Sequence, residues 1–401
     1  MTGITATNRV QLVTTIALCF LVALMEGLDL QAAGIAAQGM AAAFGLDKMQ
    51  MGWVFSAGIL GLLPGAFVGG WLADRIGRKK VLMASVALFG LFSLVTAMAW
   101  DFHSLVAARC LTGVGLGAAL PNLIALTSEA AGPRLRGTAV SMMYCGVPLG
   151  AALAAVIGII GFSGGWKVVF YVGGLVPLLI VPLLGRYLPE SAQFQSGVSA
   201  QSDNGVWHGL FRNGAGPATG LLWLSYFFTL MVVYILINWL PSLLVGQGYE
   251  ARQASWVMLA LQLGAALGTL TLGALMDRLP TWAMALLIYL GILGSLAALG
   301  VAGSFAGMLL AGFVAGLFAT GGQGVLYALT PLFYPTRMRA TGVGSAVAVG
   351  RLGAMSGPLV AGHMLALGTG TAGVMLASAP GIVLAAGAMF CLSRRRQQQL
   401  D

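Results

Sequence analysis

The 401-residue chain repeats itself at an offset of 203 residues, the separation of Asp74 from Asp277. Gly70-Trp71-Leu72-Ala73-Asp74-Arg75 returns as Gly273-Ala274-Leu275-Met276-Asp277-Arg278. At the same offset Trp53-Val54 returns as Trp256-Val257, Gly113 as Gly316, and Ala125-Leu126-Thr127 as Ala328-Leu329-Thr330. The basic turn Arg134-Leu135-Arg136 returns as Arg337-Met338-Arg339, so the register holds without a gap across the whole stretch. A repeat of this kind folds as two tandem copies of one unit, with chemically matched turns at matched positions.

The nature of that unit follows from its apolar runs. Of the residues, 59% are hydrophobic and only 8% are charged, against about 25% charged in a soluble domain. A membrane-crossing helix needs about 20 apolar residues. Twelve such runs lie near 11–36, 49–73, 81–100, 103–128, 137–162, 167–188, 217–245, 253–276, 282–302, 304–333, 339–365 and 370–392. The expectation is an all-α membrane protein of twelve transmembrane helices in two pseudo-symmetric six-helix bundles. The N-terminal bundle covers 1–188 and the C-terminal bundle 217–401. The polar stretch 189–216 reads as a cytoplasmic linker, with a short surface helix at 206–211. The 59 glycines fit membrane helices, where small residues let backbones approach closely. Gly146-Val147-Pro148-Leu149-Gly150 reads as such a packing face with a bend.

The net charge of +9 is not a nucleic-acid signal, because the cations alternate from loop to loop. Arg9, Arg75, Arg78, Lys79, Lys80, Arg134, Arg136, Arg186, Arg212, Arg278, Arg337, Arg339 and Arg394 to Arg396 fall on one side. The other side holds only Lys48, Lys167 and Arg252. The bias toward one face places both termini in the cytoplasm and surrounds the chain with lipid. Cys19, Cys110, Cys145 and Cys391 lie in apolar runs with no Cys-x-x-Cys spacing, so neither a disulfide framework nor a metal site is expected. The first apolar run is long and holds Glu26 and Asp29, unlike a cleaved signal peptide. There is no Walker-type phosphate loop, so no nucleotide cofactor is expected and energy must come from an ion gradient.

Charges inside spans point to function. An ionisable group at the bilayer centre costs roughly 2.5–3.5 kcal/mol on the insertion scale, and such groups face a cavity or a partner. Glu26 and Asp29 share one helix face. Two acids repelling in low dielectric make one a proton carrier; the alternative is an ion pair with Arg109 that ties spans 1 and 4 together. Arg351 lies twelve residues past Arg339, about 18 Å into the span, which is the depth of transporter binding sites. Its repeat counterpart is Pro148, so fold symmetry does not require a cation there. A guanidinium matches a carboxylate with two parallel hydrogen bonds. Arg109 sits eight residues after Asp101, in the outer half, where it either steers anions or pairs with the span 1 acids. Asn238 and Gln323 are costly in lipid unless paired, so they face inward.

The loop Gly70 to Lys80, Gly-Trp-Leu-Ala-Asp-Arg-Ile-Gly-Arg-Lys-Lys, resembles the loop signature of the major facilitator superfamily. Glu26-Gly27-Leu28-Asp29 in span 1, with Arg109 to Asn122 and Thr127-Ser128-Glu129 in span 4, resembles the aromatic acid:proton symporters of that superfamily. Members usually carry Asp-Gly-x-Asp in span 1; here the first acid is Glu26. The resemblance implies a substrate cavity between the bundles and proton coupling at Asp29 and Glu26. It implies import of a small aromatic monocarboxylate, a hydroxyphenylpropionate or hydroxycinnamate, through a monomer in a bacterial inner membrane, with no enzymatic activity. Arg351 and Arg109 would bind the carboxylate, and Tyr144, Tyr234, Asn238, Trp239, Gln323 and Tyr327 would supply the flat slot. Asp74, Arg75, Glu129 and Arg136 would form a gate in the first half, and Asp277 and Arg339 in the second. Glu129 is expected to meet Arg134 and Arg136, while Arg78, Lys79 and Lys80 mainly set topology. Drug efflux by the same fold and a non-transporting aromatic-acid sensor are the competing readings.

Overall fold

The computed structural model describes residues 6–161, 164–191, 216–276, 278–333 and 339–397, and only the backbone of some helical residues, Asp74, Arg136 and Arg339 among them. The linker and its expected helix at 206–211 fall outside these residues. The described chain is helical. Twelve of its helices are long and apolar enough to cross a membrane. In lipid every backbone amide needs an internal partner, and an apolar segment meets that need alone only as a helix. Phe67, Leu179 and Leu376 are among the large apolar side chains exposed on these helices.

One compact unit contains residues 1–46 and 57–201, the other 47–56 and 202–401. The first is built on α1 (Ala6–Phe44), α2 (Lys48–Ile76), α3 (Arg78–Ala97), α4 (Phe102–Tyr144), α5 (Gly146–Ile160) and α6 (Lys167–Tyr187). The second is built on α7 (Gly216–Gly246), α8 (Ala251–Met276), α9 (Thr281–Val301), α10 (Phe305–Ala315), α11 (Gly321–Leu329), α12 (Arg339–Ala366) and α13 (Gly370–Gln397). A π-helical turn, Gly316–Thr320, joins α10 to α11 inside one span. Residues 47–56 fall in the second unit for a packing reason. Ser56 donates to the Met355 carbonyl at 2.7 Å, Phe55 meets the Trp239 ring edge-on at 5.1 Å, and a Cβ on Gly52 would touch the Pro358 carbonyl.

Local chemistry fixes the helix ends. Gly77 adopts φ 103°, which an L side chain rarely tolerates, and so separates α2 from α3. Asp101 caps α4, its carboxylate accepting the Ser104 amide at 2.8 Å while Ser104 Oγ accepts the Asp101 amide. That backbone bond, with the Ser104 hydroxyl next, holds the Asp101 carboxyl below its usual 3.8. The cap therefore supports α4 above the unfolded-state pKa and is lost as pH falls through the lower folded value. Helical backbone runs through the connection expected at 129–136, and a turn at Cys145 interrupts the span Ala139–Ile160. Pro148 has no N–H for the Tyr144 carbonyl, so the helix stops there. Gly146 and Gly150 then set α5 against the Phe20 and Leu24 carbonyls of α1.

The 203-residue repeat reappears as identical backbone contacts inside each unit. A Cβ on Gly61, Gly65 or Gly113 would overlap the carbonyl of Cys110, Val114 or Gly58. A Cβ on Gly264, Gly268 or Gly316 would overlap that of Phe313, Leu317 or Leu261, each position shifted by 203. Spans 2 and 4, and spans 8 and 10, thus touch backbone to backbone through the same glycines. Gly61→Val and Gly264→Val are each expected to abolish recovery of folded protein in size-exclusion profiles of detergent extracts. Gly294→Ala, whose Cβ meets nothing within 4 Å, is expected to leave the profile unchanged.

Candidate functional site

In the first unit the buried charges converge. Arg109 Nη1 donates to Asp29 Oδ2 at 2.9 Å, and both side chains are almost wholly removed from solvent. Ser93 Oγ donates to the other carboxylate oxygen at 3.0 Å. The guanidinium carbon stands 5.5 Å from the Phe170 ring centre. A side chain at residue 58 would press on Arg109 Nη2, so Gly58 makes room for it. Glu26 is buried one turn from Asp29 on α1. Arg109 Nε, also buried, makes no hydrogen bond among the described residues. Of the two readings for Arg109, the structure realises the ion pair with the span 1 acid. Ser93, which completes it, carries no sequence signal beyond being a serine in an apolar helix.

The second unit presents Arg351 on α12. Gly350, Gly353 and Gly357 lay that helix on α7, with positions for a Cβ taken by Tyr226 and Leu230, the Phe227 carbonyl and the Met231 carbonyl. This seam sets Arg351 beside Tyr234, whose hydroxyl accepts from Arg351 Nη1 at 2.9 Å. Arg351 is half-buried. After the π turn, Gln323 Nε2 donates to the Tyr327 hydroxyl at 2.8 Å, and Tyr327 lies within the electrostatic reach of Arg351. Tyr226 lies tilted against Tyr327, ring centres 5.5 Å apart, and shares a 2.7 Å hydrogen bond with Thr330. Sequence reasoning passed over Tyr226 and Thr330; the spacing of Tyr226 and Tyr234 on one helix was the available clue. Asn238 is turned back on its own helix, donating to the Tyr234 carbonyl at 2.9 Å. Trp239 is 1% exposed and donates its indole N–H to the Pro358 carbonyl at 2.9 Å. Tyr144 sits half-buried at the end of α4.

At the basic end of the first unit, Glu129 pairs with Arg78 and accepts from the Ser191 hydroxyl. Lys79 is tied in as well: its amide donates to Glu190 at 3.0 Å and its ammonium to the Gly185 carbonyl at 2.8 Å. Arg78 and Lys79 therefore bind α3 to α4 and to the end of α6, beyond the topological role expected of them. Arg75 lies over the Trp71 ring at 3.9 Å. The side chains of Asp74, Arg136, Asp277 and Arg339 lie outside the described residues.

The model of the Major Facilitator Superfamily matches residues 19–292 and 222–400. The 3-(3-hydroxy-phenyl)propionate transporter of Escherichia coli strain K12 is 69% identical over 388 residues, covering 97% of this chain and 96% of that protein. The chain belongs to the major facilitator superfamily. The gallate transporter of Pseudomonas putida is a further relative, 35% identical over 88% of this chain and 85% of its own length. The solved D-xylose-proton symporter superposes with a TM-score of 0.78, covering 94% of this chain and 97% of that one, at 18% sequence identity. That structural likeness speaks for the fold alone. A major facilitator chain with twelve apolar helices is a multi-pass membrane transporter and not an enzyme. Among the described residues no group of three His, Cys, Asp or Glu side chains is arranged to hold a metal ion.

Proposed function

We propose that the chain imports a small aromatic monocarboxylate together with a proton, by alternating access of its two halves. The substrate is 3-(3-hydroxyphenyl)propionate or a related hydroxycinnamate. The single observation that carries the geometry is Arg351, a half-buried guanidinium steadied by one phenol beside a second phenol and an amide. The carboxylate pairs with the guanidinium fork. The ring lies among Tyr234, Tyr327 and Tyr226, and Gln323 reads a ring hydroxyl. The substrate named for the Escherichia coli relative has these two ends, an acid and a phenol.

The proton enters at the span 1 acids. Asp29 gives up its bond to Arg109 when it takes a proton, and Glu26 is the second acid on that helix face. An anion moving inward against the membrane potential is opposed by about 2.3 kcal/mol per charge per 100 mV. One co-transported proton cancels that opposition. The protein works as a monomer in a bacterial inner membrane, both termini cytoplasmic, without a cofactor. The alternating cations support this orientation. In proteoliposomes with an inward proton gradient, labelled 3-(3-hydroxyphenyl)propionate is expected to accumulate and an uncoupler to abolish accumulation. External alkalinisation on adding the unlabelled acid separates a symporter from a sensor. Outward flux of the acid under the same gradient would favour efflux.

A further inference from the structure

We infer a second binding site for the same class of aromatic carboxylate, at the end of the second unit opposite its basic loops. A cavity of about 350 Å³ opens there, lined by Lys48, Trp239, Leu243, Gln247, Leu365 and Thr369. Ligand pockets begin at about 300 Å³, so a one-ring acid fits. The inference rests on the transport reading for its ligand class and on the structure for its location.

The lining has the parts such an acid needs. Lys48 is the one cation in the wall, and it is exposed. Among the described residues no carboxylate pairs with its ammonium. The adjacent Asp47 is occupied as a helix cap, its carboxylate accepting the Gln50 amide at 2.7 Å while Gln50 accepts the Asp47 amide at 3.0 Å. Trp239, Leu243 and Leu365 make the apolar floor, and Gln247 and Thr369 supply hydrogen-bonding groups for ring hydroxyls. Gly300 also borders the space, and a Cβ there would meet nothing within 4 Å. A larger residue at 300 therefore enters open space, on a helix that tolerates it.

The loops that supply this wall are those with few cations, so the site faces the outside under the orientation proposed above. It captures the anion before the central site takes it. A rim cation raises the encounter rate and lowers the half-saturation concentration rather than changing turnover, and salt screens its effect.

The test uses the full chain in vesicles of zwitterionic phosphatidylcholine, which removes anionic headgroups as competing ligands. Lys48→Gln and Gly300→Leu are each expected to raise the half-saturation concentration for 3-(3-hydroxyphenyl)propionate uptake roughly 3- to 10-fold at low ionic strength, with the maximal rate retained. Lys48→Arg is expected to restore the value, and high salt to close the gap for Lys48→Gln. An unchanged half-saturation at low salt, or a fall in maximal rate alone, overturns the site. A second arm does not depend on transport. Equilibrium dialysis of the labelled acid against Arg351→Ala protein should show residual saturable binding that Lys48→Gln removes; no saturable binding overturns the site. Failure of the unaltered chain to take up the acid, with that residual binding present, overturns the transport reading and leaves the site standing.

Discussion

Arg351→Ala will reduce uptake of 3-(3-hydroxyphenyl)propionate to background while leaving the amount of folded protein in the membrane unchanged. The two halves of that expectation have separate causes. Removing one member of a desolvated charge pair costs about 2–5 kcal/mol, roughly 30- to 5000-fold in apparent affinity. The fold does not depend on the guanidinium, because α12 is seated on α7 by Gly350, Gly353 and Gly357 rather than by Arg351. Arg351→Lys keeps the charge but loses the fork and the reach to Tyr234, so it will fall between the two. Tyr234→Phe removes a hydrogen bond to a charged group, and its half-saturation constant should rise about tenfold. Initial rates over a wide concentration range, with surface abundance measured in parallel, decide the matter. Normal kinetics in Arg351→Ala would remove Arg351 from the site.

The architecture was legible because it is written in two redundant signals. Apolar runs mark the spans, and the 203-residue repeat marks their pairing. The glycines show why the repeat persists at all: Gly61 and Gly264 face equivalent carbonyls, and nothing larger fits at either. What escaped were details decided by single backbone bonds. The π turn at Gly316–Thr320 inserts a residue into span 10 without changing its composition, and Gly113, its counterpart in the repeat, lies within continuous α-helix. The bend read at Gly146 to Gly150 did not escape: the helix turns at Cys145, where the Tyr144 carbonyl loses its donor to Pro148.

The site was legible in its charges and less so in its partners. Burial of a charge is visible from sequence, because an acid or an arginine in an apolar run must face inward. Partner choice is a matter of helix rotation and neighbour identity. Glu129 meets Arg78 from α3, a partner its place in the chain does not announce, because the start of α3 lies against α4 in space; the side chains of Arg134 and Arg136 lie outside the described residues. Asn238 donates one amide hydrogen to the carbonyl one turn back, a local contact that the sequence does not announce. Ser93 became visible only when α3 was brought beside Asp29. A lone serine hardly changes the hydropathy of a span, and tertiary contact alone assigns its partner.

The Arg109–Asp29 pair supplies the second test. Arg109→Met is expected to lower recovery of folded protein sharply, since it strands a fully buried carboxylate that keeps only the Ser93 hydroxyl as a side-chain partner among the described residues. Breaking a buried pair from one side costs about 3–5 kcal/mol, whereas replacing both members by neutral groups of similar volume is often nearly neutral. Asp29→Asn combined with Arg109→Met should therefore fold where Arg109→Met alone does not. That rescued protein then separates structure from coupling. If Asp29 carries the proton, the double variant will still bind the aromatic acid, but its uptake will no longer respond to the proton gradient. Gradient-driven accumulation at the unaltered level in the double variant would instead assign the proton to Glu26, the other acid on that face of α1, and leave Asp29 as a tie between α1, α3 and α4.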